Sequence, residues 1–243
     1  MRLFGIIGNP LGHSQSAAFF TEKFTREGID AEYRAFEIPD IESIAALPEN
    51  IEGFNVTIPY KRAIIPYLDD ISPEAKAIGA VNCVRCRNGR RTGFNTDVVG
   101  IRRTLDLLIG SEEIDGALVL GSGGASAAVQ YVLAERGIPF AIVSRDPARG
   151  NITYDDLDAG IIAESRLIIN TTPIGMYPNV DAAPQLPYNA IDGRHMLFDL
   201  VYNPPLTRFL ESGRAAGAST MDGVTMFIEQ AQASWRIWND GQR

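Results

Sequence analysis

The feature that most constrains the fold is a regular alternation of short apolar segments with longer amphipathic ones along the chain. Helical patterns separate most of the apolar segments, and the first helix follows Ser14 to Ser16 and ends at Gly28. Alternating strands and helices are typical of α/β proteins with largely parallel sheets. We therefore predict an α/β fold. The expected strands cover residues 4–8, 33–38, 53–58, 80–87, 117–120, 140–144, 167–171 and 196–200.

A glycine-rich turn follows the strand at residues 117–120 and precedes a helical run that begins at Ala127. Strand, glycine turn and helix form the arrangement that binds phosphate, because the helix N-terminus offers free N–H groups. Gly121 permits the tight turn, and Gly123 lets a pyrophosphate approach the backbone. Ser126 stands where a third glycine is usual, and a purely structural turn is the alternative. We expect a dinucleotide-binding unit here.

The segment after the next strand bears on which dinucleotide is bound. Arg145 and Arg149 lie four residues apart just beyond that strand. A planar guanidinium can hold a phosphate with two hydrogen bonds, so this pair favours the 2′-phosphate of NADP. Asp146 keeps NAD open, since an acidic residue in this region holds the ribose hydroxyls of NAD. An ordinary solvated loop is the structural alternative.

The charge balance narrows the class of partner. The chain has 22 basic and 30 acidic residues, a net charge of -8, which argues against a general binder of nucleic acid or anionic membranes. An anionic ligand must then be held by a local basic site. The first apolar run ends at Asn9-Pro10, short of an export signal, and no stretch approaches the roughly 18 apolar residues of a membrane span. We expect no membrane or nucleic-acid partner and a cytoplasmic location.

Cys83 and Cys86 form a C-x-x-C pair that could belong to a zinc site or a redox centre. The pair lies in a strand-like run before an Asn88-Gly89 turn, and the chain has no second pair. In a strand, side chains three residues apart point to opposite faces, so these thiols are not expected to converge. Two such cysteines suit a reducing cytoplasm. The sequence predicts no metal site.

Seven short segments occur together in a characteristic order: GIIGNPLGHSQS at 5–16, GFNVTIPYK at 53–61, GAVN at 79–82, GFNTD at 93–97, GSGGA at 121–125, NTTPIG at 170–175 and DLVYNPP at 199–205. On these segments, the chain resembles the shikimate dehydrogenase family. The resemblance runs from the first strand to the last helix, and it implies reversible NADPH-dependent reduction of 3-dehydroshikimate to shikimate, a step of chorismate and aromatic amino acid biosynthesis.

The resemblance implies a catalytic pair, Lys61 and Asp97. Hydride transfer to a ketone leaves negative charge on its oxygen, and a positioned ammonium can stabilise that charge and donate a proton. Asp97 would hold the lysine and a substrate hydroxyl. A neighbouring carboxylate favours charged lysine and desolvation disfavours it, so Lys61 is either the proton donor or mainly an electrostatic anchor.

The resemblance also implies a set of substrate contacts. Ser14 and Ser16 begin the first helix, where hydroxyls and backbone N–H groups can bind a carboxylate, with N-capping as the alternative. Asn55 and Thr57 share one face of an extended strand, with buried hydrogen bonding inside the sheet as the alternative. The full set is Ser14, Ser16, Asn55, Thr57, Asn82, Tyr202 and Gln230.

The implied cofactor is NADP. The segment from Asn170 to Met176 follows an apolar strand and is expected to border the nicotinamide half. Ser144 and Asp146 depart from the asparagine and threonine that are common in the family, which weakens the cofactor assignment more than the reaction. The implied cofactor contacts are Gly121, Ser122, Gly123, Gly124, Ala125, Ser144, Arg145, Arg149, Thr171, Thr172, Val201, Gly223 and Met226.

The last helix carries an apolar stripe that is expected to pack against a core. A second stripe, of Gly223, Met226 and Gln230, lies on its flank, where a side chain can reach a ligand. We expect His13 to be structural and His195 to be a surface or capping residue. The members of the apolar stripe are Val224, Phe227, Ile228, Ala231, Trp235 and Trp238.

These assignments predict two domains. Residues 1–97 with 223–243 form a substrate-binding α/β domain with a mainly parallel sheet, and residues 98–222 form a Rossmann-like NADP-binding domain. The partner is a small molecule, shikimate or 3-dehydroshikimate, and the protein is a monomer or a homodimer. Two rival functions stay open: a quinate/shikimate dehydrogenase that uses NAD, and a non-catalytic NADP-binding regulatory relative. The second rival would be expected to have lost Lys61 or Asp97, and both are present.

Overall fold

The structure is a computed structural model that describes residues 1–12 and 14–240. The chain divides into two compact units. Unit 1 comprises Met1–Thr96 and Ala231–Arg243, and unit 2 comprises Asp97–Gln230. The first division lies within one residue of the expected boundary. The second falls after Gln230, inside the last helix, rather than at residue 223.

Each of the eight expected strands is present, and three short strands that the sequence pattern did not indicate join them: β4, β6 and β11. The strands are β1 Arg2–Gly8, β2 Ala31–Glu37, β3 Ile51–Val56, β4 Asp70–Ile71, β5 Cys83–Arg87, β6 Arg90–Phe94, β7 Ala117–Leu120, β8 Phe140–Val143, β9 Leu167–Asn170, β10 Met196–Asp199 and β11 Ser219–Met221. The α-helices are α1 Ser16–Glu27, α2 Pro73–Ile78, α3 Asp97–Ile109, α4 Gly124–Glu135, α5 Ala159–Glu164, α6 Arg208–Ala215 and α7 Val224–Asn239.

The sheet of unit 1 has six strands in the order β2-β1-β3-β5-β6-β4. β1 pairs in parallel with β2 and β3, and β4 pairs in parallel with β6. Only β5 runs against its neighbours. The predicted mainly parallel sheet is therefore confirmed. The first helix also ends as predicted, at Gly28 with φ 62° in the left-handed region.

A hairpin joins β5 to β6 through Asn88 and Gly89, whose φ angles are 52° and 71°. Positive φ at both central residues is the backbone of a tight two-residue hairpin turn, and Asn-Gly is its preferred sequence. The sequence indicated this turn but missed β6, because Arg90, Arg91 and Gly93 hide the alternation of a strand.

The sheet of unit 1 has a core on each face, because successive side chains of a strand alternate between faces. Leu3 and Ile7 of β1 pack into one cluster with Phe54, and Phe4 and Ile6 pack into the other. Cys83 joins the cluster of Phe4, whereas Cys86 packs against the cluster of Phe54. The two thiols thus lie on opposite faces, as the strand geometry predicted.

The sheet of unit 2 has five strands in the order β11-β10-β9-β7-β8, and all its pairs are parallel. β7 is central, with the next strand β8 on one side and β9 on the other. The order of strands therefore reverses at β7. In open parallel sheets, ligands bind at the carboxyl ends of the strands where this reversal occurs.

The last helix differs from its predicted packing. Trp238 and Ala231 of the apolar stripe are buried, but Val224 and Ile228 are 38% and 39% exposed. Met226, placed on the flank by the sequence, is buried instead. The reason is that α7 belongs to unit 2 up to Gln230 and to unit 1 from Ala231, so its two halves do not bury the same face.

Every helix within the described ranges, 1–12 and 14–240, is too short or too polar to cross a lipid bilayer.

Candidate active site

Polar side chains of unit 1 gather at one edge of its sheet. Asn55 of β3 is the register partner of Cys83, and Cys83 is the partner of Phe94 in β6. Because β5 is antiparallel, its amino end meets the carboxyl ends of β3 and β6. This edge carries Asn55, Asn82 and Thr96, all buried.

These side chains form a closed ring of hydrogen bonds with Ser234 of α7. The amide nitrogen of Asn55 donates to Ser234 Oγ at 2.9 Å and to the carbonyl of Asn82 at 3.2 Å. Asn82 Nδ2 donates to Thr96 Oγ1 at 3.0 Å, and Thr96 Oγ1 lies 3.1 Å from Ser234 Oγ. Tyr33 donates its hydroxyl to Asn55 Oδ1 at 2.8 Å. We call Asn55, Asn82, Thr96 and Ser234 the polar ring.

The ring bears on two expected substrate contacts. Both amide hydrogens of Asn55 are taken up inside unit 1, which matches the alternative of buried hydrogen bonding in the sheet. Asn82 Oδ1 accepts from the backbone N–H of Thr96 at 2.6 Å, so Asn82 anchors the segment that leads into Asp97. Thr57 follows the end of β3 and is half-buried, which leaves its side chain nearer to solvent than that of Asn55.

The two serines near α1 are not conventional caps. The residue that precedes the helix is Gln15, and no side chain caps the helix there. Ser14 Oγ accepts from the N–H of Ser16 at 3.4 Å, a weak interaction. Ser16 is the first residue of the helix and is buried, while Ser14 is half-buried. The two hydroxyls thus stand beside the helix N-terminus, where an anion is stabilised.

Lys61 and Asp97 sit on different units. Lys61 lies in the turns after β3 and is half-buried; its carbonyl accepts from the N–H of Val81 at 2.7 Å. Asp97 opens α3 and is 4% exposed. An acidic side chain in the first turn of a helix is stabilised by the helix dipole, which is its structural alternative to a catalytic role.

In unit 2, the glycine turn has the predicted form of strand, turn and helix. Gly121 has φ 104°, and a β-carbon there would meet Thr171 Oγ1 and Thr172 Cγ2, each at 2.9 Å. Only glycine therefore suits this turn. At Gly123, a β-carbon would meet nothing within 4 Å, so its backbone faces open space. Ser126 ties the turn to the helix by donating to the carbonyl of Gly121 at 2.7 Å.

The expected phosphate-binding loop follows β8. Ser144 is buried, and its hydroxyl lies 3.1 Å from Ser122 Oγ of the glycine turn, which joins the two loops. Arg145 and Arg149 are exposed. The carboxylate of Asp146 accepts from the N–H of Ala148 at 3.0 Å and caps the short 3-10 helix 147–149. Asp146 thus has a structural task inside its own loop.

Two further loops follow β9 and β10. The hydroxyl of Thr171 donates to the carbonyl of Leu120 at 2.6 Å, and that of Thr172 donates to Asn170 Oδ1 at 2.6 Å. Val201 is buried, and its carbonyl accepts from the N–H of Gly223 at 3.1 Å. Ser122, Gly124 and Ala125 complete the predicted cofactor set in the turn and first residues of α4. All these positions lie at the carboxyl edge of the sheet or beside it.

Three further predicted contacts are Met226 and Gln230 of α7 and Tyr202, which follows β10. The carbonyl of Met226 packs against Gly100 of α3. Gln230 is half-buried and donates from Nε2 to the carbonyl of Phe227 at 3.0 Å. The ring of Tyr202 lies 4.8 Å from that of Phe227 at 31°. The amide of Gln230 has thus folded back on its own helix.

His195 was expected to be a surface or capping residue, and the surface position is wrong because its side chain is 1% exposed. Its Nε2 lies 3.1 Å from the carbonyl oxygen of Ile162, and its Nδ1 lies 3.0 Å from the backbone nitrogen and 2.9 Å from Oδ1 of Asp192. It closes the turn before β10. His13, expected to be structural, lies outside the described residues.

The sequence patterns did not indicate two buried polar residues, Ser234 of unit 1 and Asp199 of unit 2. Ser234 stands among Ala231, Trp235 and Trp238 on α7, and a hydroxyl on a buried helix face is the signal that could have marked it. Asp199 ends the apolar segment of β10, where a carboxylate needs partners.

Comparison with known proteins identifies the relatives of this chain. Residues 6–84 match the family model of the shikimate dehydrogenase substrate binding domain. A shikimate dehydrogenase (NADP(+)) of Methanococcus maripaludis is 37% identical in an alignment that covers 98% of this chain and 91% of that protein. The chain belongs to the shikimate dehydrogenase family. The family resemblance predicted from the seven segments is therefore confirmed.

Solved structures agree with this family and with the predicted two-domain α/β fold. Shikimate 5-dehydrogenase from Thermus thermophilus, solved in complex with NADP(H) and shikimate, is 32% identical with a TM-score of 0.87, covering 98% of this chain and 93% of that one. Quinate dehydrogenase from Corynebacterium glutamicum, solved in complex with NAD, is 29% identical with a TM-score of 0.87 and the same coverage. This member of the shikimate dehydrogenase family thus resembles proteins of two related activities.

Proposed function

We propose that this chain is an NADP-dependent oxidoreductase that reversibly reduces 3-dehydroshikimate to shikimate. The observation that carries this proposal is its identity of 37% to a shikimate dehydrogenase (NADP(+)) over 98% of its length. Residues 1–97 with 223–243 would bind the substrate and residues 98–222 the cofactor. The metabolic context is chorismate and aromatic amino acid biosynthesis.

The surroundings of the predicted cofactor contacts in unit 2 suit NADP. Gly123 leaves open space above the turn, and the first N–H groups of α4 have no partner within the helix, so both suit a pyrophosphate. Arg145 and Arg149 are exposed beside the loop that Ser144 joins to the glycine turn, where they would hold a 2′-phosphate. The other proposed contacts are Ser122, Gly124, Ala125, Thr171, Thr172, Val201, Gly223 and Met226.

The chemistry divides between cofactor and protein. NADPH, when bound, supplies the hydride that reduces the substrate ketone. Lys61 would stabilise the negative charge that develops on the ketone oxygen and deliver a proton to that oxygen. Asp97 would orient Lys61 and a substrate hydroxyl. Because Asp97 directly follows Thr96, the polar ring holds the backbone that carries this carboxylate.

Recognition of the substrate would use polar groups of modest size. Ser14 and Ser16 would bind the carboxylate beside the N-terminus of α1. Thr57, Asn82, Tyr202 and Gln230 would bind ring hydroxyls or the carboxylate, since a site of hydroxyls and amides rejects analogues that lack these groups. Asn55 would contribute through the second lone pair of its Oδ1, because both of its amide hydrogens are engaged.

The test is an oxidation assay that follows the absorbance of reduced nicotinamide, with shikimate or quinate and with NADP or NAD. Highest kcat/KM with shikimate and NADP is the expected result. Highest kcat/KM with quinate and NAD would replace this proposal by the quinate dehydrogenase alternative, which the relative from Corynebacterium glutamicum represents. Absence of turnover with all four pairs, from a folded protein that binds NADPH, would favour a non-catalytic relative.

Location and assembly form a separate proposal. Both cysteines are unpaired thiols, as in a reducing compartment, and this supports a cytoplasmic protein. We also propose a monomer or homodimer that binds no nucleic acid, in keeping with the net charge of -8. Sedimentation of the purified protein, with and without a DNA or RNA fragment, tests both points.

A further inference from the structure

The side chain of Asp199 is completely buried at the carboxyl end of β10. Its Oδ1 accepts from Asn170 Nδ2 and from the N–H of Val201, each at 3.0 Å, and its Oδ2 accepts from the hydroxyl of Thr207 at 2.6 Å. In the part of the chain that the structure describes, this carboxylate forms no ion pair with lysine or arginine. Three neutral donors thus hold a buried acidic group.

The first donor, Asn170, connects Asp199 to the neighbouring strand β9. Asn170 ends β9, and its Oδ1 accepts from both the hydroxyl and the N–H of Thr172, at 2.6 and 3.1 Å. The hydroxyl of Thr172 in turn accepts from the N–H of Ile174 at 3.2 Å. Through Asn170, Asp199 therefore fastens the loop that carries Thr171 and Thr172, both proposed cofactor contacts.

The remaining donors fasten the loop after β10. The N–H of Val201 is bound directly, and the carbonyl of Val201 accepts from Gly223 at the start of α7. Thr207 precedes α6, and its hydroxyl also accepts from the N–H of Leu210 at 3.4 Å. A single carboxylate thus connects segments that contain Thr171, Thr172, Val201 and Gly223.

Burial of the Asp199 carboxylate disfavours its charged form, and the three hydrogen-bond donors offset this effect in part. Burial raises the pKa of Asp199 to about 6, with the hydrogen bonds from Thr207, Val201 and Asn170 acting against that rise. If one donor is removed, the buried carboxylate loses a hydrogen bond that stabilises its charge. We expect the segments that carry the other donors to shift as a result.

We propose that Asp199 is a positioning residue for the cofactor site, holding the loops after β9 and β10 in the arrangement that binds NADPH. This inference rests on the proposed function of unit 2. Asp199 acts through Asn170 and Thr207 and need not touch the cofactor. It is absent from the set of contacts that the sequence implied.

The test removes one donor while preserving shape. Thr207→Val replaces the hydroxyl by a methyl group, and Thr207→Ser restores the hydroxyl. We expect Thr207→Val to weaken NADPH binding about 5- to 30-fold and Thr207→Ser to stay within about twofold of wild type. Hydrogen exchange of the peptide spanning residues 167–177, measured without ligand, should be faster in Thr207→Val than in Thr207→Ser.

Thr104→Val is the matched control in the same unit. Thr104 is also completely buried, and its hydroxyl donates to the carbonyl of Gly100 within α3. Its loss should lower the melting temperature and leave the Kd of NADPH within about twofold. If Thr207→Val behaves like this control, with Kd unchanged and exchange of residues 167–177 unchanged, Asp199 is merely structural and the proposal is overturned.

A second variant and the behaviour of the wild-type protein complete the test. If Thr207→Val does not fold, Asp199→Asn is measured in the same way, with an equal or larger weakening of NADPH binding expected. The test measures NADPH binding and not turnover. A wild-type protein that binds NADPH without oxidising shikimate would therefore refute the proposed reaction only. The Kd of NADPH for Thr207→Val would still decide the role of Asp199. A wild-type protein that binds no NADPH refutes both.

Discussion

Asn55 and Ser234 are 179 residues apart in the sequence, yet the amide of Asn55 donates to the hydroxyl of Ser234 at 2.9 Å. The bond joins the end of β3 to the buried face of α7. Through Thr96, the same hydroxyl reaches the segment that leads into Asp97. A buried donor that loses its partner costs about 1–3 kcal/mol, so this contact has measurable consequences.

Ser234→Ala is therefore expected to reduce the free energy of unfolding by about 1–3 kcal/mol, because it leaves Asn55 and Thr96 each without one partner. Urea denaturation measures this loss. The KM for shikimate should rise while the KM for NADPH stays near wild type, since the polar ring lies in unit 1. Equal effects on both KM values would contradict a local role for the ring.

Lys61→Ala is expected to reduce kcat by about 10²- to 10⁴-fold, because the developing charge on the ketone oxygen loses its stabilising group and proton donor. Binding of NADPH, followed by fluorescence, should survive. Arg62→Ala is the control, since Arg62 is an exposed cation next in sequence. Turnover of Lys61→Ala close to that of Arg62→Ala would remove Lys61 from the mechanism.

Arg145→Ala is expected to raise the KM for NADPH by about 10-fold or more and to change that for NADH much less, because only NADPH carries the 2′-phosphate. Asp146→Ser keeps an oxygen that can cap the 3-10 helix and removes a negative charge beside the phosphate. This variant should prefer NADPH more strongly than wild type does. Equal changes for both cofactors in Arg145→Ala would refute the NADP assignment.

The raised pKa of Asp199 predicts a pH dependence of stability. The folded state takes up a proton near pH 6 and the unfolded state only near the ordinary pKa of 3.8, so stability from this group falls as pH rises from about 4 to about 6. The negative charge of Asp222 adds to the rise in the pKa of Asp199. Burial raises the pKa of Tyr188, and the charge of Asp199 raises it further.

The free energy of unfolding of wild type relative to Asp199→Asn should therefore increase by up to about 3 kcal/mol between pH 7 and pH 4. Chemical denaturation at several pH values measures this difference. Exposed carboxylates with lowered pKa values act in the opposite direction but are common to both proteins, so they cancel. A difference that is constant with pH would show that Asp199 ionises normally.

The thiols of Cys83 and Cys86 should be almost inert in the folded protein. Burial raises the pKa of Cys83 to about 12 and that of Cys86 to about 11, and only the thiolate is a good nucleophile. An aromatic disulfide reagent at neutral pH is expected to react slowly with native protein and to label both cysteines in urea. Rapid labelling of the native form would contradict this burial.

Local patterns in the sequence determined much of this protein. Gly28 ends α1, and Asn88-Gly89 forms the hairpin turn. Both positions need a left-handed backbone, which glycine and asparagine adopt most readily, so a few adjacent residues are enough to predict them. The order of strand, glycine turn and helix at Gly121 is equally local. The family follows from short segments whose order is visible along the chain.

Only the tertiary structure decided which polar groups share a network. Ser234 meets Asn55, and Asp199 meets Asn170 and Thr207, because strand order and the placement of α7 bring distant segments together. The apolar stripe on α7 wrongly predicted that Val224 and Ile228 are buried. Periodicity defines the apolar face of a helix but not which unit covers it. Burial arises from long-range packing, so a single helix pattern cannot specify it.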